Sequence, residues 1–139
     1  GKTKFSPIHV SDLTDIIYNV LENDYSGLTL ECIGPETFSF KEIMQQLLNS
    51  INKKRLLIPL PYQIASLSSK ILQLFPKPLL TEDQLKLLKY DNIKSGNYKT
   101  NFDIGLEPNK KFKFEVDKYS YNWRSGGQFA EKELIKKND

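Results

Sequence analysis

Tyr90 and Lys94 stand four residues apart, a spacing that sets a lysine ammonium one helical turn from a phenol and lowers the phenol's proton affinity. His9 is the single histidine, with Asp12 three residues on, and Cys32 is the single cysteine. Lys53-Lys54-Arg55 gathers three cations, and Arg55 among them has the planar fork that binds an anion through two bonds. Four chemistries come into view: proton transfer from an activated tyrosine, base catalysis by an imidazole, attack by a thiolate, and capture of a phosphate-like anion. Each has a plainer counterpart. Asp91-Asn92 inside the tyrosine–lysine interval favours unwinding, and a spacing without its structural context is a weak motif. A histidine base needs a nucleophile and an orienting partner. Asp12 belongs to a helix start, so His9 reads first as a structural residue at a strand end and second as a lining of a substrate cleft. Cys32 falls in the apolar run of residues 28–33 and reads as a buried thiol. The basic run suits a solvated helix C-terminus, where cations meet the negative end of the dipole. One histidine and one cysteine without patterned carboxylates give no metal site.

The elements that position these residues follow from periodicity and caps. Residues 5–10 read as a strand that Pro7 confines to a sheet edge. Ser11 is the expected N-cap of a helix whose Leu13, Ile16, Ile17, Val20 and Leu21 form one apolar face. Asn23 to Gly27 stop it. Residues 28–33 read as a buried strand ended by Gly34-Pro35. Ser39, with Glu42 three residues on, opens a second helix through a capping box, and Ile43, Leu47, Leu48 and Ile51 are its apolar stripe. Residues 56–61 read as a short strand. Ile64, Leu67, Ile71 and Leu74 line a third helix, broken by Phe75-Pro76-Lys77-Pro78. Thr81 caps a fourth, with Leu85, Leu87 and Leu88 buried or half-buried. Leu106-Glu107-Pro108 is a turn, and residues 112–116 alternate as a strand does, with an irregular segment as the alternative. Residues 131–139 read as a frayed charged tail.

The 139 residues fit one domain, and the net charge of +3 with a pI near 8.8 calls for no polyanionic partner. A lone cysteine excludes an internal disulfide and suits a reducing compartment. No apolar run reaches the length of a membrane span, and no signal peptide is visible. Tyr119, Tyr121 and Trp123 beside Lys118 and Arg124 could stack bases, but no nucleic-acid module accompanies them, and docking of this segment on the domain is the simpler use.

In order along the chain, several motifs resemble one superfamily. Pro7-Ile8-His9-Val10-Ser11-Asp12-Leu13 is similar to the apolar-His-Val-x-Asp signature of extended short-chain dehydrogenases/reductases, the nucleotide-sugar-epimerase type. Residues 30–40 resemble their last Rossmann strand and the helix after it. Leu57-Ile58-Pro59-Leu60-Pro61, the Pro78 to Asn92 segment and Tyr121-Asn122-Trp123-Arg124-Ser125-Gly126-Gly127 resemble the atypical branch related to the accessory NAD(P)-binding subunit of respiratory complex I.

The resemblance implies an α/β fold: the C-terminal, substrate-side portion of an extended Rossmann-type protein, residues 1–139 as one domain, with a small sheet and about four helices. It implies NAD or NADP in a full-length parent and none for this portion, since the Gly-rich phosphate loop is absent and the Tyr-x-x-x-Lys pair would lie before His9. Tyr90 and Lys94 lie after His9, the wrong order for that family. No catalytic, cofactor-binding or metal residue is therefore assigned. The substrate-cleft candidates are His9, Gly34, Pro35 and Arg55. The partners implied are a missing N-terminal Rossmann part and either respiratory-complex subunits or an anionic membrane surface, with the apolar stripe of residues 64–75 and Lys70 and Lys77 as the membrane-facing alternative. The place implied is cytoplasmic or peripheral on the inner face of the inner membrane. The competing reading is a non-catalytic assembly module of a respiratory complex. The strand at residues 28–33, without its large sheet, is expected to pair within the chain, to swap with a second copy, or to remain partly exposed.

Overall fold

Pro7 has no amide hydrogen to continue a ladder, and the first strand stops before it. In the computed structural model, which describes residues 1–59 and 82–127, β1 is Lys4–Phe5. It pairs antiparallel with β3 (Phe38–Ser39), Lys4 opposite Ser39 and Phe5 opposite Phe38. Its other side is taken as well: the Asn92 amide donates to Lys4 O at 2.7 Å, the Ser6 amide to Asn92 O at 3.0 Å, and the Lys4 amide to Asp91 Oδ1 at 2.8 Å. The expected long edge strand is thus two residues flanked on both sides. β2 (Leu30–Glu31) pairs parallel with β4 (Lys99–Thr100). Among the described residues the small sheet expected is divided into two two-stranded pieces.

Four α-helices accompany them among the described residues. α1 is Val10–Glu22, α2 Phe40–Ser50, α3 Glu82–Leu87 and α4 Phe112–Tyr119. α2 starts as its sequence demands: Ser39 Oγ accepts from the Glu42 amide, and Glu42 Oε2 accepts from the Ser39 amide at 2.7 Å. The same reciprocal arrangement between Thr100 and Asp103 opens the 3₁₀ turn Asn101–Ile104, which Gly105 closes with a φ of 77°. α4 corrects the strand expected at residues 112–116. Phe112, Phe114 and Val116 alternate, but the Glu115–Lys118 pair at 2.7 Å and the Asp12 and Glu36 carboxylates at its start favour a helix.

Among the described residues the buried hydrophobic side chains are Ile16, Leu85 and Val116. Aromatic pairs extend this core: Phe5 with Phe40 at 6.1 Å and Phe38 with Phe112 at 5.8 Å between ring centroids. A buried polar seam runs beside it. Asn101, wholly buried, accepts from the Ile33 amide at 2.8 Å and donates to Leu106 O at 2.9 Å, tying the end of β2 to the loop after the 3₁₀ turn. Arg124 Nε donates to Ser50 O at 2.6 Å and its Nη2 reaches Ser120 Oγ at 3.0 Å, so the segment after α4 closes the C-terminus of α2.

The expected buried strand at residues 28–33 shrinks to Leu30–Glu31, half-buried, with Leu28 and Thr29 exposed. It pairs within the chain, one of the outcomes expected of it. Cys32 is half-buried, and desolvation pushes its thiol up, away from the thiolate form. Residues 56–59 form no strand, and Leu56 and Ile58 are exposed. In α3, Leu85 is buried while Leu87 is exposed. The third helix with its Pro-Lys-Pro break, the Thr81 cap and the charged tail lie outside the described residues.

Candidate functional site

Two helix starts meet around His9. The imidazole, not Ser11, is the N-cap of α1: Nδ1 accepts from the Ser11 amide at 3.2 Å and lies 3.0 Å from Ser11 Oγ. The first intrahelical bond runs from the Leu13 amide to His9 O. On its other side, Nε2 lies 3.7 Å from Glu115 Oε2 of α4. Pro7, Ile8, His9, Lys110, Phe112 and Glu115 are among the residues lining a hollow of about 170 Å³ between the two starts.

The charges around the hollow are largely committed to one another. Asp12, buried, accepts from the Lys110 amide at 3.1 Å and from Lys110 Nζ at 3.4 Å. Glu36 Oε2 accepts from the Phe112 amide at 3.3 Å. Lys118 Nζ donates to both oxygens of Glu115 at 2.7 Å, and that bond holds the Glu115 carboxyl below the usual carboxylate range. Carboxylates of the chain thus occupy the positions at the α4 start where a ligand anion would sit. The hollow suits structural coupling better than anion capture.

Gly34 shows why a glycine stands there. A Cβ at this position would lie 1.8 Å from Pro7 O, and the Gly34 amide donates to Ser6 O at 3.1 Å. The turn after β2 is therefore pressed onto the turn before His9, and Glu36 from the same turn reaches α4. Of the four cleft candidates, His9 lines the hollow and Gly34 packs on its rim, with Pro35 half-buried next in the chain. Arg55 does not join them: it is exposed and makes no hydrogen bond or ion pair among the described residues. Its neighbour Lys53 donates to Ser125 Oγ at 2.8 Å, which gives the basic run a structural use. Tyr90 is exposed at a helix end, and Asp91 and Asn92 serve β1. Among the described residues no three His, Cys, Asp or Glu side chains gather as a metal ion would require.

Glu36, Lys110 and Glu115 carry this site together with Asp12, and these three were not singled out as functional from the sequence. Their partners lie far away in the chain: Asp12 is 98 residues from Lys110. A local signal existed only for Glu115, three residues before Lys118.

No protein-family model matches the chain. Over 138 residues, 91% of the chain and 34% of the relative, it is 29% identical to NADH dehydrogenase (ubiquinone) 1 alpha subcomplex subunit 9, mitochondrial, of Arabidopsis thaliana. The chain is related to NADH-ubiquinone oxidoreductase subunits. A second relative, the mitochondrial NADH-ubiquinone oxidoreductase 40 kDa subunit of Neurospora crassa, is 27% identical over 107 residues, 76% of the chain and 28% of the relative. The resemblance drawn from the His-Val-x-Asp segment and the later motifs therefore agrees with two NADH-ubiquinone oxidoreductase subunits. The chain spans about a third of the length of these curated relatives. Within the described residues no helix is long and apolar enough to cross a membrane.

Proposed function

We propose that this chain is a non-catalytic packing portion of an NAD(P)-binding, oxidoreductase-like protein of the NADH-ubiquinone oxidoreductase accessory type. The observation that carries the reading is the likeness to two such subunits over most of the chain. The polar groups at the hollow support it, because their carboxylates already serve Lys110, Lys118 and the start of α4. The dinucleotide, NAD or NADP, belongs to a Gly-rich Rossmann part that this portion packs against. Respiratory-complex subunits are the wider partners, and the protein sits peripherally on the membrane bearing that enzyme.

The uncovered face of α1 supports the packing role. Val10, Ile17 and Leu21 are 70%, 51% and 78% exposed and recur at helical spacing, with Tyr18 beside them. β2 and β4 form a parallel pair, an arrangement found almost only in sheets covered on both faces. This reading assigns the apolar face of α1 to a further α/β body, the Rossmann part. Fluorescence titration with NADH and NADPH tests the assignment. The chain alone is expected to leave the dinucleotide signal unchanged, while a protein in which a Gly-rich Rossmann part is joined to it binds. Saturable binding by the chain alone would overturn the division of labour.

A further inference from the structure

We infer that His9 is a pH-sensitive clasp between the starts of α1 and α4: neutral, it caps α1; protonated, it gives up that cap for an ion pair with Glu115. The cap bond from the Ser11 amide supports the first half. A nitrogen that accepts a bond from the Ser11 amide carries no hydrogen, so the neutral ring bears its proton on Nε2, facing Glu115 3.7 Å away. An imidazole is the side chain that ordinarily changes charge between pH 5 and 8. Adding the second proton places a hydrogen on Nδ1, against the Ser11 amide hydrogen. The cap bond is lost, and Ser11 Oγ, 3.0 Å away, becomes the acceptor that Nδ1–H can reach. A cation then stands at the positive end of the α1 dipole, which loosens the first turn.

Protonation also has a gain on the opposite side. The groups facing the ring are Glu115 on α4, Lys118 bonded to Glu115, Lys110 on the loop before α4 with its partner Asp12 on α1, and Tyr119 on the wall of the hollow. The hydrogen bond from Lys118 holds the Glu115 carboxyl below the usual carboxylate range, so Glu115 is an anion where an imidazole ordinarily changes charge. Acidification therefore exchanges a contact within α1 for a contact between α1 and α4. The side chains involved are 30% and 14% exposed, so protons reach the ring while water only partly screens the pair.

His9 is the single histidine, so ¹⁵N-histidine labelling of the intact chain yields one imidazole to observe. At pH 8 the ring nitrogen shifts should show Nε2 protonated and Nδ1 bare, and at pH 5 both protonated. Over the same range, protection of the Ser11 amide against hydrogen exchange, corrected for intrinsic rate, should fall about fivefold, the scale of a lost N-cap. Protection of the Val116 amide should rise. His9→Asn, which caps without titrating, should hold Ser11 protection constant with pH. Glu115→Gln should keep the acid loss at Ser11 but abolish the rise at Val116. A neutral ring protonated on Nδ1 overturns the proposal even if no variant folds. So does an acid loss at Ser11 that survives in His9→Asn.

Discussion

Gly34 and Arg124 show how single residues hold this chain together. A methyl group at residue 34 would collide with Pro7 O, part of the backbone, so the two turns must separate to admit it. Gly34→Ala should cost about 1–3 kcal/mol by urea unfolding. A variant as stable as the parent would show that the turns are not pressed together. Arg124 Nε, together with Ser120 Oγ, donates to the Ser50 carbonyl at the end of α2, where helical partners run out. Acid stability follows from four carboxyls held below their ordinary range: Asp24 by Ser26, Glu42 by the Ser39 amide, Asp103 by the Thr100 amide and Glu115 by Lys118. Each has a folded pKa below its unfolded one, so its stabilisation is complete above the unfolded value and is lost as pH falls through the folded one. Thermal melts should therefore show the contribution of these carboxyls constant from pH 7 to about 5 and falling below about 4. Glu42→Gln should flatten part of that fall; an unchanged acid limb would remove Glu42 from the account.

Elements were legible where their causes are local. The Ser39–Glu42 box and the stop after α1 involve neighbours in sequence, and both stand as read. The α1 cap was not legible, because an imidazole is an uncommon cap and Ser11 offered a common one two residues later. α4 was misread because the spacing of Phe112, Phe114 and Val116 satisfies a strand, while the carboxylates that fix its first turn come from Asp12 and Glu36. The cleft candidates share that limit: His9 and Gly34 come together through Pro7, which no spacing reveals, and Arg55 stays apart. Within α1 the apolar face divides in two. Ile16 is 3% exposed and serves the core, whereas Leu21 is 78% exposed and contributes nothing to it. Ile16→Ala should cost about 2–4 kcal/mol and Leu21→Ser less than about 0.5 kcal/mol. Equal costs would mean that Leu21 is covered within the chain itself.

At the scale of the whole molecule, few large apolar side chains are buried among the described residues, while Val10, Ile17 and Leu21 are exposed on one face of α1. The exposed apolar face of α1 is the surface that the proposed packing role uses. The α/β class came with the family resemblance; the division of the described strands into two small sheets was not legible, since Asn92 and Lys99 supply pairing partners from segments without strand periodicity. The most direct test is native electrophoresis of detergent-solubilised membranes from cells expressing the tagged protein, stained for NADH dehydrogenase activity. The tag should migrate with the active band, and Ile17→Glu with Leu21→Lys should release it while circular dichroism remains that of the folded chain. A tag that never migrates with that activity, or a double variant that stays bound, would contradict the packing role.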